Sequence, residues 1–334
     1  MRDVVPLARP YAFVVGLALC TAVVALVVTS AYDLPLRDPD GIAGPAVVRL
    51  PAVVLLMLAA DVVPRAVRRR DLLGVVRERL APSRLLLVAV GLGSFYVIYV
   101  SYRNLKGALP FARPEVQDRE LLELDRDLAL GHDPADLLHE LLGTGLAAHV
   151  LSVSYLLFLA FVPLSLGAAL VWGRSVRAGA FYVTALSLNW VLGTASYYAV
   201  PSLGPVFVRP AEYADLPDTG VTALQASLAQ GRAEVLADPA GADAVAGIAA
   251  FASLHCSIVF TAVLVAHRLG LPVLVRAALW AFLVLTVLAT AYFGWHYLVD
   301  DVAGLAIGAA SVAVAAAVTR ERSTAPPPPA LVAA

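Results

Sequence analysis

The sequence predicts an all-α, polytopic integral membrane protein, a helical bundle with about eight transmembrane helices. Three observations predict this fold class. The chain has 334 residues, of which 60% are hydrophobic and only 15% are charged, whereas soluble domains carry about 25% charged residues. The mean hydropathy is +0.81, so a soluble protein of this composition would have too little polar surface to cover its core. The apolar residues also form runs of about 20 residues, the length that crosses the hydrocarbon core of a bilayer.

Eight apolar runs predict the transmembrane helices in chain order. We expect these helices at 11–32, 46–63, 84–102, 146–172, 179–200, 246–267, 273–293 and 299–319. The runs are longer and more continuous than the strands of a membrane β-barrel, so helices are the expected spanning element. No small-residue cleavage site follows the first run, which we therefore expect to be a retained anchor rather than a signal peptide.

The composition also excludes several classes of partner and site. The net charge is −1, and no basic block is paired with aromatic residues, so we expect no nucleic-acid partner. The two cysteines, Cys20 and Cys256, both lie in apolar runs and can form neither a disulfide framework nor a cysteine-based metal site. The acidic residues form no cluster with metal-ligand spacing. We therefore expect no metal and no cofactor.

Loop charges predict the orientation and the domain organisation. With both termini in the cytoplasm, most of the arginines lie inside and most of the acidic residues lie outside, as the positive-inside rule requires. We expect an N-terminal helix pair with an Arg-rich cytoplasmic loop at 1–83, a membrane-embedded core at 84–319 and a disordered Pro-rich cytoplasmic tail at 320–334. All but one of the basic residues are arginine, which is typical of a GC-rich bacterial genome. The predicted location is therefore a bacterial plasma membrane, crossed several times.

Two histidines are candidate catalytic residues on the extracytoplasmic face. His255 lies in F-A-S-L-H-C-S, and His296 lies in G-W-H-Y-L-V-D-D. His296 and Asp300 are four residues apart and share one face of a helix, where a carboxylate can orient an imidazole as nucleophile or base. The alternative is that Asp300 only caps a helix and that His255 makes a structural hydrogen bond. Ser253 is either an N-cap or a hydroxyl that contacts phosphate.

Three basic residues just past the third predicted span are candidate phosphate ligands. Arg103, Lys106 and Arg113 follow one another in Y-R-N-L-K-G-A-L-P-F-A-R-P. Arginine and lysine donors suit phosphate oxygens, although such residues also snorkel to the membrane interface. The leucine-rich stretch within 103–145 further predicts a pair of interfacial helices, or a pair that packs over the mouth of the site.

Together these residues resemble a known family, the type 2 phosphatidic acid phosphatase superfamily (lipid phosphate phosphatases). That family carries K-x6-R-P, P-S-G-H and S-R-x5-H-x3-D. This chain has Lys106-x6-Arg113-Pro114, then Ala252-Ser253-Leu254-His255, then His296-x3-Asp300. This chain departs from the family pattern in two blocks. In the second block Ala252 and Leu254 replace the Pro and the Gly, and in the third Ala289-Thr290 replaces the Ser-Arg.

With these replacements the chain resembles one branch of the superfamily, the inositol phosphorylceramide synthase-like and sphingomyelin synthase-like phosphotransferases. These commonly carry F-P-S-L-H and H-Y-x-x-D without the third-block arginine, and this chain has F-A-S-L-H and H-Y-L-V-D. The Pro-rich stretch 197–205 and the amphipathic stretch 124–134 also look like that branch. The resemblance implies that the membrane-embedded core is a six-helix, phosphatase-like bundle.

The resemblance implies a mechanism and a set of partners. His296 would attack phosphorus to form a phosphohistidine, Asp300 would orient it, and His255 would protonate the leaving oxygen. Arg209, beside the Pro-rich stretch, is a candidate substitute for the missing arginine, and Ser253 joins the phosphate ligands. The implied partners are a membrane lipid with a phosphate-linked headgroup and a hydroxyl acceptor (lipid, sugar or water). The function predicted is a metal-independent headgroup phosphotransferase, with a lipid phosphate phosphatase as the alternative and a transporter or scaffold as a further one.

Overall fold

The computed structural model describes residues 9–320 apart from 39, 42, 43, 174 and 243. The all-α prediction is confirmed: β structure in the described residues is limited to the antiparallel pair β1 (Asp40–Gly41) and β2 (Gly44–Pro45). The helices in chain order are α1 Ala12–Ala31, α2 Ala46–Arg69, α3 Leu72–Arg79, α4 Pro82–Ala112, α5 Asp118–Leu128, α6 Pro134–Leu142, α7 Leu146–Trp172, α8 Val176–Ala199, α9 Pro205–Val208, α10 Gly220–Ala237, α11 Leu254–Arg268, α12 Val273–Tyr292 and α13 Leu298–Thr319. Short 3₁₀ turns occur at Arg9–Tyr11 and Pro210–Tyr213.

Six of the described helices are long and apolar enough to cross a membrane. They are α1 with its preceding 3₁₀ turn, α2, α4, α7, α12 and α13. Each corresponds to one of the eight predicted spans. The two remaining predicted spans, 179–200 and 246–267, correspond to α8 and α11, which differ from the other six for separate reasons.

The α8 helix lies at the centre of the bundle. It has 24 residues, most of them buried, and it packs against α4, α7, α11 and α13. Because its neighbours are helices rather than lipid, it tolerates polar side chains such as Asn189, whose amide donates to Thr261 Oγ1 at 2.9 Å. Polar residues inside membrane bundles face the interior in this way.

The predicted span at 246–267 is wrong in its first third. Residues 246–253 are irregular, and α11 begins only at Leu254. Its 15 residues correspond to about 22 Å, less than the roughly 30 Å of a hydrocarbon core. The irregular segment is apolar but satisfies its backbone elsewhere: the Ala252 amide donates to Ser196 Oγ at 2.9 Å, and the Phe251 amide donates to Ser202 Oγ at 3.0 Å.

The N-terminal helices pack on the rest of the bundle. The α1 helix lies against α4, and α2 lies against α7. On α2 the buried carboxylate of Asp61 pairs with Arg79 and Arg65, which ties α2 to α3. The domain boundary at 83/84 stays a prediction, and the predicted disordered tail lies outside the described residues from 321 onward.

Two short helices, α5 and α6, follow α4 in the stretch where we predicted an interfacial pair. On α5, Leu121 is buried whereas Leu128 is 60% exposed. On α6, Leu141 is 78% exposed. The pair therefore presents leucines outward as well as inward, and its placement at a membrane surface stays a prediction.

Candidate active site

Two chain segments bring the predicted histidines together. His255 lies in the first turn of α11, whose N-cap is Ser253. His296 lies in the loop between α12 and α13. The two segments are joined because the Ser253 amide donates to the Asp300 carbonyl at 3.0 Å. As a result the two imidazole rings are tilted towards each other with centroids 5.7 Å apart.

A glycine on α13 permits this close approach. A Cβ atom on Gly304 would lie 2.3 Å from the Ser253 carbonyl oxygen. Real Cβ atoms essentially never come so near another heavy atom, so any larger residue would push α13 away from α11. The small residue at this position therefore sets the separation of the two histidine-bearing segments.

His296 lies next to Asp300, but the predicted shared helix face is wrong, because His296 precedes α13 and only Asp300 is in the helix. The imidazole Nδ1 lies 3.4 Å from Asp300 Oδ2, and the side chains are 6% and 0% exposed. The same oxygen accepts a hydrogen bond from the Tyr297 amide at 3.0 Å. Asp300 therefore caps the start of α13 and faces the imidazole at once, so its structural and functional interpretations are compatible.

Burial keeps the imidazole of His296 neutral. Desolvation lowers its pKa from 6.5 to about 4, and the positive charge of Lys106 acts in the same direction, while Asp301 opposes it. A neutral imidazole has a free lone pair on one ring nitrogen. Its Nδ1 lies 3.4 Å from Asp300 Oδ2 and has no hydrogen-bond partner among the described residues. A backbone hydrogen bond with Ala250 also raises the pKa of His296.

His255 lies in an aromatic pocket. Tyr155 stacks on its ring at a centroid distance of 4.6 Å, and Phe158 approaches it at 4.3 Å. Trp295 also stacks on Tyr155 at 5.1 Å, with the two rings only 3° from parallel. Within the described residues the buried Nδ1 of His255 has no hydrogen-bond partner. Such an atom costs free energy in a finished core, but it is available to a substrate.

Asp301 is a neighbour that the sequence analysis missed. Its carboxylate accepts hydrogen bonds from Cys256 Sγ at 2.9 Å and Thr290 Oγ1 at 3.0 Å. Thr290 stands where the resemblance places a phosphate-binding arginine, and here it binds an acid instead. The consecutive Asp300-Asp301 pair was the available signal, but the sequence did not show which elements each carboxylate would face.

The predicted phosphate ligands separate into two groups. Lys106 on α4 lies near the histidines: its charge acts on His296, and its ammonium lies 4.9 Å from the centroid of the Tyr197 ring. Arg103 lies one turn earlier on α4 and is half-buried. Ser253 is fully buried beneath His255, and its Oγ accepts from the Cys256 amide at 3.4 Å.

Arg113 and Arg209 are held by other groups. Arg113 is exposed and donates to the Tyr198 carbonyl at 2.5 Å. Arg209 forms ion pairs with Asp133 and Glu212. Burial alone would lower the pKa of Arg209, but Asp133 raises it. The structure therefore places these two arginines in ion-paired or carbonyl-bound positions rather than against the histidine pair.

The Pro-rich stretch forms one wall of the site. The Val206 amide donates to the Gly294 carbonyl at 2.9 Å. Gly204 has a φ of +101°, and a Cβ there would lie 2.5 Å from the Trp295 carbonyl oxygen. The loop before α9 therefore packs directly on the loop that carries His296, and a glycine is required for the contact.

No group of three or more His, Cys, Asp or Glu residues that could hold a metal ion occurs in the part of the chain that the structure describes. The site consists instead of two imidazoles, two carboxylates and an ammonium group. Its donor set is suited to nucleophilic attack and proton transfer.

A family model described as PAP2 superfamily matches residues 119–314. The chain belongs to the PAP2 superfamily. Members of this superfamily are phosphatases and phosphotransferases that act on phosphate esters, so this chain is placed among such enzymes. The match includes His255, His296 and Asp300, whereas Lys106 and Arg113 lie before it. No curated protein and no solved structure is significantly similar to the chain.

Proposed function

We propose that this protein is an integral membrane phosphotransferase of the inositol phosphorylceramide synthase-like branch of the PAP2 superfamily. It transfers the phosphate-linked headgroup of a phospholipid or polyprenyl phosphate to a hydroxyl acceptor. The observation that carries the proposal is the close arrangement of His255 with the buried pair His296 and Asp300. We further propose a bacterial plasma membrane location, with both termini in the cytoplasm and the site on the opposite face.

The first half-reaction uses His296 as the nucleophile. Its Nε2 attacks phosphorus, and the bond between phosphorus and the oxygen of the leaving alcohol breaks. His255 donates a proton to that oxygen, so the alcohol leaves neutral. Asp300 faces Nδ1 and stabilises the positive charge that develops on the imidazole as the phosphorus–nitrogen bond forms.

The second half-reaction regenerates the enzyme. His255, now neutral, accepts a proton from the acceptor hydroxyl, whose oxygen attacks phosphorus. The phosphorus–nitrogen bond breaks, and His296 returns to its neutral form. Splitting the displacement into two steps allows one site to release one alcohol before it uses another.

Lys106 and Arg103 are the proposed anchors of the phosphoryl oxygens, with the Ser253 hydroxyl beneath them. Preorganised donors of this kind stabilise charge that develops in the transition state. We propose Arg113 and Arg209 as rim contacts that would exchange their present partners for phosphate. This exchange replaces one charge-assisted interaction with another.

Two features favour transfer over hydrolysis. The F-A-S-L-H and H-Y-L-V-D motifs resemble those of the phosphotransferase branch, and His296 is only 6% exposed, which limits access by bulk water. A lipid phosphate phosphatase is the second candidate, because the same phosphohistidine would be hydrolysed if water reached it. A transporter or scaffold would require neither histidine.

An acceptor panel tests the proposal. The purified protein in detergent is given a phospholipid with a radiolabelled headgroup phosphate, together with water alone, a polyol or a lipid alcohol. We expect a labelled transfer product with one alcohol acceptor, abolished in H296A and H255A and retained in H149A, which changes an exposed histidine. Release of only the labelled headgroup phosphate into water, whichever acceptor is added, would identify a hydrolase, and unchanged activity in H296A would overturn the mechanism.

A further inference from the structure

The α5 helix carries two buried carboxylates on one face. Asp118 and Asp125 are seven residues apart, which is two helical turns, and each is only 3% exposed. The other acidic residues of this helix, Glu120, Glu123 and Asp127, are exposed. Burying a carboxylate costs free energy unless hydrogen-bond donors surround it. The donors to Asp118 and Asp125 therefore show which segments of the chain α5 holds in place.

Asp118 joins two walls of the active site. Its carboxylate accepts hydrogen bonds from the backbone amides of Leu203 at 3.0 Å and Gly204 at 2.9 Å. It also accepts a hydrogen bond from the hydroxyl of Tyr297 at 3.1 Å. A single side chain therefore connects the Pro-rich stretch to the residue that follows His296.

Asp125 fixes the next two residues of the same segment. Its two oxygens accept from the amides of Leu298 at 2.8 Å and Val299 at 3.1 Å. These are the first two residues of α13, whose amides have no partner within their own helix. Together with the Asp300 bond to Tyr297, the three consecutive amides after His296 are all bound by carboxylates.

We propose that Asp118 and Asp125 are positioning residues for catalysis, which hold the His296 segment and thereby aim its Nε2 at phosphorus. The inference rests on the proposed role of His296. Charge-assisted hydrogen bonds to an ionised carboxylate are shorter and stronger than neutral ones and fix geometry well. A nucleophile must lie within a narrow range of distance and angle, and a displacement of about 1 Å can lower a rate about 100-fold.

The test separates positioning from a purely structural role by measuring kcat, KM and thermal stability in the purified full-length protein. The variants are D118N and D125N, with D127N as the matched control on the exposed face of α5. We expect kcat to fall about 10- to 100-fold in both variants while KM stays within about twofold. D127N should behave as the unchanged protein does.

A milder variant keeps the inference testable if an aspartate substitution prevents folding. Y297F removes only the hydroxyl that donates to Asp118, and we expect kcat to fall about threefold to tenfold with the melting temperature nearly unchanged. An unchanged kcat in Y297F and in whichever aspartate variants fold would overturn the inference. A loss that appears only in KM would overturn it as well.

The outcome for H296A distinguishes this inference from the proposed function. If H296A is inactive and the α5 variants turn over normally, only the positioning role is wrong. If H296A is active, the proposed function itself is wrong and the positioning role loses its basis.

Discussion

The imidazole Nδ1 of His296 lies 3.4 Å from Oδ2 of Asp300, and that same oxygen accepts the Tyr297 amide at 3.0 Å. One buried carboxylate thus caps a helix and faces a catalytic candidate. The arrangement explains how a membrane bundle with few charged groups can hold the proposed nucleophile in one orientation. It also makes the contribution of the carboxylate measurable, because capping and orientation respond differently to substitution.

Replacing Asp300 with asparagine should separate the two roles. In D300N the amide oxygen can still accept the Tyr297 amide, but the carboxyl group opposite His296 is lost. We expect the melting temperature to change little and kcat to fall about 100-fold or more, measured as initial rates in detergent. D127N, an exposed substitution on α5, is the control; a D300N rate within about threefold of the unchanged protein would contradict the orienting role.

The acid limb of the pH profile should lie well below the ordinary pKa of histidine. Because burial lowers the pKa of His296 to about 4, its nucleophilic neutral form persists as the pH falls and is lost only below that value. The groups that face it are Asp300, Asp301, Lys106 and His255. We therefore expect kcat/KM to have no inflection near 6.5 from His296 and to fall near pH 4.

The stability of the protein must be checked across the same range. Returning an acid-treated sample to neutral pH should restore full activity, which shows that the limb reports ionisation rather than unfolding. A reversible acid limb with its midpoint near 6.5 would contradict the neutral, desolvated imidazole.

The ring of Tyr155 should matter more than its hydroxyl. The ring stacks on His255 at 4.6 Å and on Trp295 at 5.1 Å, which fixes the orientation of the proposed acid. We expect Y155F to keep its activity within about threefold and Y155L to lose about tenfold or more, because leucine fills space without stacking. Equal losses in both variants would show that the hydroxyl, not the ring, is required.

The contact between α11 and α13 should not tolerate a methyl group. In G304A the new Cβ would meet the Ser253 carbonyl at 2.3 Å, whereas a Cβ on Gly93 of α4 meets nothing within 4 Å. We expect G304A to lose about 1–3 kcal/mol of stability and to lose activity as the two histidines separate. G93A should be as stable as the unchanged protein or slightly more so, since alanine favours helices. A G304A protein with unchanged melting temperature and rate would contradict this packing.

Local spacing made the histidine pair predictable. His296 and Asp300 are four residues apart, and this short spacing indicated their contact, although His296 precedes the helix instead of sharing a helix face with Asp300. The apolar periodicity and length of the runs likewise predicted the six long apolar helices. These features depend on neighbours in the sequence, which is why the sequence suffices for them.

Contacts between residues that are far apart in the chain could not be predicted from the sequence. Asp118 meets Tyr297 across 179 positions of the chain, and no local pattern marks it among the other acids of α5. The segment 246–253 looked helical because it is apolar, and its irregular path depends on hydroxyls from Ser196 and Ser202. Arg209 was predicted as a phosphate ligand from its position beside the Pro-rich stretch, and its ion pair with Asp133, 76 positions away, could not be predicted from the sequence.

Trapping the proposed phosphohistidine shows whether His296 is the nucleophile. The full-length protein is mixed with a donor phospholipid that carries a radiolabelled headgroup phosphate, denatured within the first turnover and separated from lipid. Our account predicts protein-bound label that is acid-labile and base-stable, present in the unchanged protein and in H149A and absent from H296A. Label of equal amount and the same lability in H296A would contradict it.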